Sequence, residues 1–271
     1  MMTNPQPIEL SIDAPAVHKM LVGFIRNELM RTNFKHVVIG LSGGLDSSLA
    51  CYLATEALGP ENVLAIRMPY TSSSPESLEH AQLVIQSTGV RGLTIPIGGM
   101  VDAMIEKLPG MDSIRKGNIM ARTRMIVLFD QSAADGALVV GTGNKTEILL
   151  GYSTLYGDAA CAFNPLGDLY KTQVRQLATI MNIPDVILQK PPSADLWMGQ
   201  TDETELGFTY DQVDRLLYLL VEKGKTPMEC ETAGFQRDFI ERVLTRIRKY
   251  RYKRVMPPIA RITNGNAGLD L

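Results

Sequence analysis

Apolar positions along the chain form two kinds of pattern, short continuous runs and longer stretches with helical periodicity. Residues 12–31 place apolar side chains at helical spacing, and the run HVVIG at residues 36–40 follows them. A short apolar run that leads into a Gly-rich turn is typical of a strand buried on both faces. The next stretch is again helical in pattern and ends at Gly59-Pro60, since proline cannot continue a helix.

This alternation continues through the middle of the chain. Three further strands are predicted at NVLAIRMPY, LTIPI and ALVVGT. Further helices are predicted at PESLEHAQLVIQST, at residues 115–134, at KTQVRQLATIM and from about Tyr210 onward. Strands that alternate with helices predict an α/β fold: a doubly wound, mostly parallel sheet with helices on both faces, here followed by a helical C-terminal part. No internal repeat or low-complexity linker interrupts the 271 residues, and we therefore expect a single domain over residues 1–271.

Composition narrows the class of partner. The 27 Lys and Arg residues nearly balance the 29 Asp and Glu residues, so a net charge of −2 gives no general attraction to nucleic acid or to an anionic membrane. No apolar stretch approaches the roughly 20 residues that cross a bilayer, and the N-terminus lacks the pattern of a secretory signal. The three cysteines lie far apart, as expected of reduced thiols. We expect a cytoplasmic protein with no nucleic-acid or membrane partner.

The most informative segment is GLSGGLDSS, residues 40–48, between the first strand and the following helix. Glycines let a backbone turn tightly and approach a ligand, and the amides and dipole of a helix start attract an oxyanion such as phosphate. Ser42, Ser47 and Ser48 add hydroxyl donors. The alternative is an ordinary strand-to-helix turn capped by Asp46 or Ser47. The segment lacks the lysine of the common GxxxxGK[ST] loop, which disfavours an ordinary phosphate-hydrolysing enzyme.

Two carboxylates are expected at the same edge of the sheet. Glu147 follows the predicted fourth strand as Asp46 follows the first. Together they could hold Mg²⁺ against a triphosphate, since that ion takes few protein ligands and keeps phosphate oxygens and water. The alternative for Glu147 is a solvated acid at a helix start.

Residues 40–48 resemble the pyrophosphate loop of the N-type ATP pyrophosphatases, which form adenylates on a Rossmann-like sheet of the adenine nucleotide alpha hydrolase type. Four more segments, residues 117–125, 141–178, 190–207 and 252–258, resemble NAD synthetases and stand in that family's order. The resemblance implies an ATP-dependent ligase that activates deamido-NAD as an acyl-adenylate. Ammonia would then convert the adenylate to NAD, and AMP and pyrophosphate would be released.

The resemblance also implies residue roles. The ATP contacts it implies are Gly40, Leu41, Ser42, Gly43, Gly44, Leu45, Asp46, Ser47, Thr142, Lys171 and Ser193. It implies Asp46 and Glu147 as ligands of Mg²⁺, Lys171 and Asp158 as catalytic residues, and Arg122, Tyr252 and Lys253 as contacts of deamido-NAD.

Two of these roles have simpler alternatives in the residues themselves. Lys171 alone would be a solvated helix lysine, and Asp158, after a glycine, would be a turn residue. Lys171 is expected to stabilise charge on the α-phosphorus, and Asp158 to bind ammonium. Arg122 and Arg124 are two helical positions apart and point roughly opposite ways, so we expect one ligand not to use both. Arg124 is then expected to be structural or at an interface.

The sequence departs from the ammonia-dependent members at two positions. Leu155 and Ala162 stand where those enzymes often carry a lysine and an aspartate for the dinucleotide, and TLYGDAACAF is similar to the synthetase half of glutamine-dependent enzymes. Residues 1–39 contain no cysteine, so we expect no glutaminase in this chain. It would use free ammonia or ammonia from a separate glutaminase subunit. The resemblance further implies a homodimer whose interface helps to bind the dinucleotide.

Two other functions remain as alternatives, a tRNA-modifying adenylating enzyme and a non-catalytic nucleotide-binding sensor. The first would need a broad basic surface, and the second would have little use for Asp46, Glu147 and Lys171 together. Two polar segments, residues 71–75 and 193–209, are predicted to be mobile loops that close over ATP.

Overall fold

A parallel four-stranded sheet lies at the centre of the computed structural model, which describes residues 10–197, 199–260 and 262. Its strands are β1 (His36–Gly40), β2 (Val63–Arg67), β3 (Arg91–Thr94) and β4 (Ala137–Val139). They stand in the order β3-β2-β1-β4. The chain therefore builds outward from β1 on one side and then returns to add β4 on the other. The carboxyl ends of β1 and β4 flank the point at which the winding reverses, where α/β sheets bind their ligands.

Helices cover both faces of this sheet. They are α1 (Ala14–Thr32), α2 (Leu45–Leu58), α3 (Pro75–Thr88), α4 (Gly98–Lys107), α5 (Ser113–Asp135), α6 (Lys145–Leu150), α7 (Lys171–Ile180), α8 (Asp185–Leu188), α9 (Asp202–Leu206), α10 (Tyr210–Val221), α11 (Pro227–Thr232) and α12 (Arg237–Lys249). Val37 and Ile39 of β1 pack with α1, α2 and α7, whereas Val38 between them packs with α4 and α5. The alternation of side chains along a strand thus feeds two cores, and the predicted doubly wound architecture is confirmed.

The C-terminal helices form a third core beside the sheet. Val213, Leu216 and Leu217 of α10 are fully buried there, together with residues of α11 and α12. Leu150 of α6 and Tyr170, which precedes α7, belong to the same core. The helical C-terminal part is confirmed, and it fixes the ends of two short helices that begin at the carboxyl edge of the sheet.

The third strand differs from its prediction. It covers Arg91–Thr94 and not LTIPI, because Pro96 has no N–H to donate to the neighbouring strand. Only Ile95 N and Ile97 N continue the contact, to Arg67 O and Pro69 O at 2.9 Å each. Four helices, α4, α6, α8 and α9, were not predicted. Helix α4 begins with two glycines, which have a low helix propensity. The other three helices have six residues or fewer, too few to show a helical period.

No helix in the described part of the chain has the length and apolar character needed to cross a membrane.

Candidate functional site

The loop after β1 brings backbone amides to the carboxyl edge of the sheet. Leu41 N donates to Ile66 O at 2.9 Å, so the chain leaves the sheet only after this residue. Helix α2 then begins after the N-cap Gly44, which has no side chain to cap the first amides of the helix. The first amides of a 14-residue helix are therefore open to an anion, which the helix dipole favours. The alternative of a turn capped by Asp46 or Ser47 is wrong.

Gly43 lets this loop lie directly against α3. Its φ is +77°, and a Cβ atom at this position would lie 2.0 Å from the backbone oxygen of Ser77. Only glycine avoids both the backbone strain and this collision. Gly43 is therefore required for the shape of the loop.

The serine hydroxyls of the loop are divided between two tasks. Ser42 Oγ lies 3.0 Å from Ser47 Oγ, and both residues line the cavity described below. Ser48 is fully buried, and its hydroxyl donates to Gly44 O at 2.7 Å. The expectation that Ser48 offers a donor to a ligand is wrong, because the first turn of α2 uses that hydroxyl for itself.

Asp46 and Glu147 lie side by side, joined by a residue that the sequence did not single out. Asn144 is fully buried and is the N-cap of α6, where it forms a capping box with Glu147. Its amide nitrogen Nδ2 donates to Asp46 Oδ1 at 3.0 Å, and its backbone N donates to Glu147 Oε2 at 3.1 Å. The spacing N-x-x-E after the fourth strand is a capping signal that could have identified it.

Lys171, the first residue of α7, brings a buried ammonium to the two carboxylates. It is 3% exposed, its Nζ forms an ion pair with Asp46 Oδ2, and it lies 5.5 Å from the centre of the Tyr210 ring. Desolvation lowers the pKa of Lys171, but Asp46 and Glu147 raise it by more, so the net shift is upward and the side chain is charged. The alternative of a solvated helix lysine is wrong.

Negative charge exceeds positive charge around this ammonium. Desolvation first and repulsion by Asp46 second raise the pKa of Glu147 to about 8, against the opposing effect of Lys171. Glu147 is therefore not a solvated acid at a helix start. Among the described residues, no three His, Cys, Asp or Glu side chains form a ready-made metal centre. Two carboxylates at a cavity wall instead suit a cation that takes its remaining ligands from a phosphate substrate and water.

A single cavity of about 970 Å³ contains these groups and the other predicted site residues. Those that line it are Gly40, Leu41, Ser42, Gly44, Leu45, Asp46, Ser47, Arg122, Thr142, Glu147, Asp158, Lys171, Ser193, Tyr252 and Lys253. Gly43 faces α3 and is not part of the lining. Of the two positions that depart from the ammonia-dependent pattern, Leu155 lines the cavity and Ala162 does not.

Basic side chains line the part of the cavity formed by residues 151–158 after α6, called here its basic end. Lys253 lies in a short 3₁₀ helix, Arg251–Arg254, and its Nζ donates to the carbonyl oxygens of Gly151, at 2.8 Å, and Ser153. Arg122 projects from α5, is exposed, and donates from Nε to Leu155 O at 3.3 Å. Both keep donors for a ligand, since an ammonium and a guanidinium have more N–H groups than these bonds use.

Arg124 is in the same cavity as Arg122, contrary to the helical-wheel expectation. Its Nε donates to Met68 O at 3.1 Å, and its guanidinium lies near Asp158 and Asp195. Desolvation lowers its pKa. The two side chains are two positions apart on α5, yet residues at both positions line the cavity. Both arginines therefore line one cavity.

Asp158 is held by the loop that follows α6. Its Oδ1 accepts a hydrogen bond from Thr154 N at 2.8 Å, as in a turn, yet the carboxylate also opens into the cavity. Desolvation raises the pKa of Asp158, while the Thr154 hydrogen bond and the positive charge of Lys253 oppose the shift. The net shift is upward, so this carboxylate takes up a proton more readily than a solvated one.

The two polar segments predicted as loops contact each other over the cavity. Ser72 Oγ donates to Leu196 O at 3.0 Å, and Ser74 N lies 3.2 Å from Asp195 Oδ2. Ser193 lines the cavity beneath them and donates to Gln200 O at 2.7 Å. The second segment is not a loop throughout, because it contains α9. Met198 of this segment lies outside the described residues.

A buried carboxylate beside the site, Asp202, was missed by the sequence analysis. It accepts hydrogen bonds from the hydroxyls of Tyr152, at 3.1 Å, and Tyr210, at 2.9 Å, and its charge acts on Lys171. Asp202 is the first residue of α9 and lines the cavity. Nothing in its local spacing distinguishes it from the neighbouring acids Glu203 and Glu205.

Comparison with known proteins places this site in one family. A family model described as NAD synthase matches residues 17–257. The chain is 52% identical over 261 residues to the NH3-dependent NAD+ synthetase of Trichlorobacter lovleyi, a match that covers 96% of each chain. It is 50% identical over 254 residues to the protein of the same description from Fusobacterium nucleatum, covering 94% of this chain and 98% of the other.

Solved structures agree with the sequence relatives. The NH3-dependent NAD synthetase of Campylobacter jejuni, solved with a nitrate ion, superposes with a TM-score of 0.79 at 33% identity and covers 92% of this chain and 100% of its own. The NMN synthetase of Francisella tularensis superposes with a TM-score of 0.83 at 30% identity, covering 92% and 99%.

Replacing Gly43 with alanine is predicted to destabilise the fold. The added methyl group would meet the Ser77 backbone and hold a left-handed conformation, a strain of about 1–3 kcal/mol in the free energy of unfolding. Urea unfolding measures this. The control is Gly23→Ala within α1, where a methyl group meets nothing within 4 Å and should stabilise the helix by about 1 kcal/mol. Equal stability of the two variants would contradict the prediction.

The raised pKa of Glu147 predicts how stability depends on pH without ATP or divalent cations. The folded protein keeps this proton between pH 4.5 and about 8, whereas the unfolded chain releases it. Stability from this group is therefore complete below the unfolded pKa and is lost as pH rises through the folded value. At about pH 9, Glu147→Gln should be more stable than the parent by over about 1.4 kcal/mol, the equivalent of one pKa unit.

Chemical unfolding across this pH range, in the presence of a chelator, tests the expectation. Glu106→Gln, on an exposed surface of α4, is the matched control and should follow the parent at every pH. Parallel pH profiles for Glu147→Gln and the parent would show that Glu147 ionises normally in the fold.

Proposed function

The chain belongs to the NAD synthase family, and we propose that its cavity performs the family's reaction with ATP at one end and deamido-NAD at the other. The protein is a carbon–nitrogen ligase that forms NAD from ammonia and uses ATP as a substrate. Neither a tRNA-modifying enzyme nor a nucleotide sensor is among the four relatives described above. The family match over residues 17–257 supports a single ligase unit.

The observation that carries the proposal is the meeting of three helix starts around one ammonium. Asp46 belongs to the first turn of α2, Glu147 to that of α6 and Lys171 to that of α7. Their side chains converge beside the open amides of the Gly-rich loop. This arrangement presents backbone donors, positive helix dipoles and one buried cation to a polyphosphate.

ATP is proposed to lie with its phosphates on residues 40–47 and its reacting α-phosphate near Lys171. Thr142 and Ser193 line the same end of the cavity and would contact the nucleotide. The Lys171 ammonium is pre-positioned, so it would stabilise charge on the α-phosphate without rearrangement during the reaction. Its ion pair with Asp46 would loosen as the phosphate takes over part of the charge.

Magnesium fits the donors of this end. Asp46 and Glu147 would hold it, since the site carries more carboxylates than cations and Mg²⁺ takes few protein ligands. When bound, it would neutralise triphosphate charge and orient the phosphates.

The reaction then consists of two displacements. The nicotinate carboxylate of deamido-NAD attacks the α-phosphorus, forming an oxygen–phosphorus bond as the bond to pyrophosphate breaks. Pyrophosphate departs toward the amides of the Gly-rich loop. Ammonia next attacks the carbonyl carbon of the adenylate, the carbon–oxygen bond to AMP breaks, and the nitrogen loses a proton. Contact between the two polar segments over the cavity would exclude water, which competes with ammonia.

Deamido-NAD is proposed to bind Arg122, Tyr252 and Lys253 at the basic end. Its two phosphates are complementary to the charges there, and the exposed Tyr252 ring offers a face for stacking. Arg124 lines the same space and adds a second guanidinium. Ammonium is proposed to bind Asp158, whose raised pKa suits a group that accepts its proton.

A homodimer is proposed through α4 and α5. Met100, Met104 and Leu108 form an exposed apolar row on α4, and Ile126 and Phe129 are exposed on α5, which packs against it. Arg122 lies one helical turn before Ile126, so a partner on this surface would approach the dinucleotide end. A separate glutaminase subunit, as a source of ammonia, stays a prediction.

The proposed division of roles is tested by pyrophosphate release in a single turnover. Lys171→Met and Asp46→Asn should each lower this release by about 10²-fold or more, because each loses charge stabilisation made at the α-phosphate. The matched control is Lys145→Met, since Lys145 opens α6 but pairs with Asp168 and Glu222 outside the cavity. Near-normal pyrophosphate release by Lys171→Met would refute the assignment.

Binding of the dinucleotide is predicted to depend on Arg122 and on the dimer. Arg122→Ala should raise the KM for deamido-NAD by about 10-fold or more and leave that for ATP nearly unchanged, since a charge-assisted bond is worth about 1.5–3 kcal/mol.

The dimer surface is tested by Ile126→Glu, which should give monomers in analytical ultracentrifugation and raise the KM for deamido-NAD. Met228→Glu, at an exposed site on α11, is the control. A dimer that persists in Ile126→Glu would disprove this surface.

Nitrogen use gives the third test. The purified protein should make NAD with ammonium and essentially none with glutamine, and activity should rise between about pH 7 and 9 as free ammonia becomes abundant. Asp158→Asn should slow NAD formation more than pyrophosphate release, since only the second step uses ammonia. The control is Asp168→Asn, which should change neither step. Asp168 also follows a glycine, but it lies outside the cavity. Equal losses in both steps would make Asp158 a structural turn residue.

A further inference from the structure

A carboxylate outside the cavity ties together the two helix starts that carry Glu147 and Lys171. Asp214 of α10 is fully buried and does not line the cavity. Its Oδ1 accepts a hydrogen bond from Thr146 Oγ1 at 2.5 Å, and its Oδ2 accepts one from Thr172 N at 2.9 Å. One side chain therefore contacts the first turn of α6 and the first turn of α7.

Thr146 extends this connection to the backbone of Lys171. Its hydroxyl donates to Asp214 and accepts from Lys171 N at 3.0 Å. Thr146 directly precedes Glu147, and Lys171 N belongs to the residue whose ammonium pairs with Asp46. The metal-side carboxylate and the catalytic ammonium are thus each within one residue of the same buried network.

Both helix starts have a feature that such a connection offsets. Helix α6 has six residues, too few to be stable in isolation. Helix α7 begins with a lysine, whose charge is unfavourable at the positive end of a helix dipole, whereas a carboxylate there is favourable. Asp214 provides that carboxylate, and its neighbours Val213, Leu216 and Leu217 anchor it in the C-terminal core.

We propose that Asp214 is a positioning residue for adenylation, which acts through Thr146 to hold Glu147 and Lys171 at the separation that ATP requires. The proposal rests on the roles given above to Glu147 and Lys171. Stability alone is a poor explanation of this network, because well-packed apolar residues often replace a whole buried polar group at no cost in stability. Groups that orient residues of a site, by contrast, typically change activity when altered.

Asp214→Asn and Thr146→Val each remove one part of the network at nearly constant volume. Both variants should lower pyrophosphate release by about 10- to 100-fold and raise the KM for ATP. The KM for deamido-NAD should stay near that of the parent, since Arg122 and Lys253 lie on other elements. Thr146→Ser keeps the hydroxyl and should restore the parent values.

A second readout follows the network directly, without turnover. Amide hydrogen exchange at residues 171–172 should accelerate in Thr146→Val and in Asp214→Asn, because both amides donate into the network. The control is Asp135→Asn, which breaks the ion pair with Arg91. Arg91 is the first residue of β3 and therefore lies at the amino edge of the sheet, opposite the site. This variant should lower stability without changing the ratio of the two KM values.

The outcomes separate this inference from the proposed function. Loss of pyrophosphate release in Lys171→Met together with normal release in both network variants would overturn the inference alone. Normal release in Lys171→Met would instead overturn the role on which it rests. A loss of stability with pyrophosphate release and both KM values unchanged, the pattern expected of Asp135→Asn, would reduce Asp214 to a structural residue. If Asp214→Asn does not fold, Thr146→Val, which keeps the carboxylate, decides between these outcomes.

Discussion

The ammonium of Lys171 is buried at a point where carboxylates from α2, α6 and α9 surround it. Desolvation alone would discharge such a group, and the nearby carboxylates keep it charged. Desolvation, and after it repulsion by Asp46, raises the pKa of Glu147, and the Lys171 ammonium opposes this shift. The buried ammonium and the Asp46 carboxylate therefore depend on each other, and the carboxyl edge of the sheet is built around that dependence.

The topology of the sheet explains why these groups meet. The strand order reverses between β1 and β4, so the loops after these two strands diverge and leave a crevice between them. Helices α2 and α6 begin in that crevice, and the start of α7 is brought to them by Thr146 and Asp214. Three helix N-termini consequently meet beside one space, and the first amides of α2 remain open to it. That arrangement suits a polyphosphate better than any single loop could.

In the proposed reaction, one cavity would serve two chemical steps that need different environments. The Gly-rich loop and Lys171 would offer amides and a fixed cation to the phosphates, whereas Arg122, Arg124 and Lys253, which line the same cavity, would bind the dinucleotide. Asp158 lies between Lys253 and Arg124, where its carboxylate is desolvated and yet accessible. In this proposal, the contact between the two polar segments over the cavity would keep the reactive adenylate from water while ammonia, a small molecule, reaches it.

The sequence alone determined the alternation of strands and helices, the Gly-rich loop and the expectation that Asp46 and Glu147 share an edge. Each of these follows from local periodicity, from backbone freedom or from the rule that parallel strands end together. The tertiary structure decided that Ser48 bonds to its own helix and that Arg124 reaches the cavity. It also showed that Asn144, Asp202 and Asp214 connect distant segments. Periodicity describes one element, whereas the partner of a buried polar group is chosen by how separate elements pack, and no local pattern contains that information.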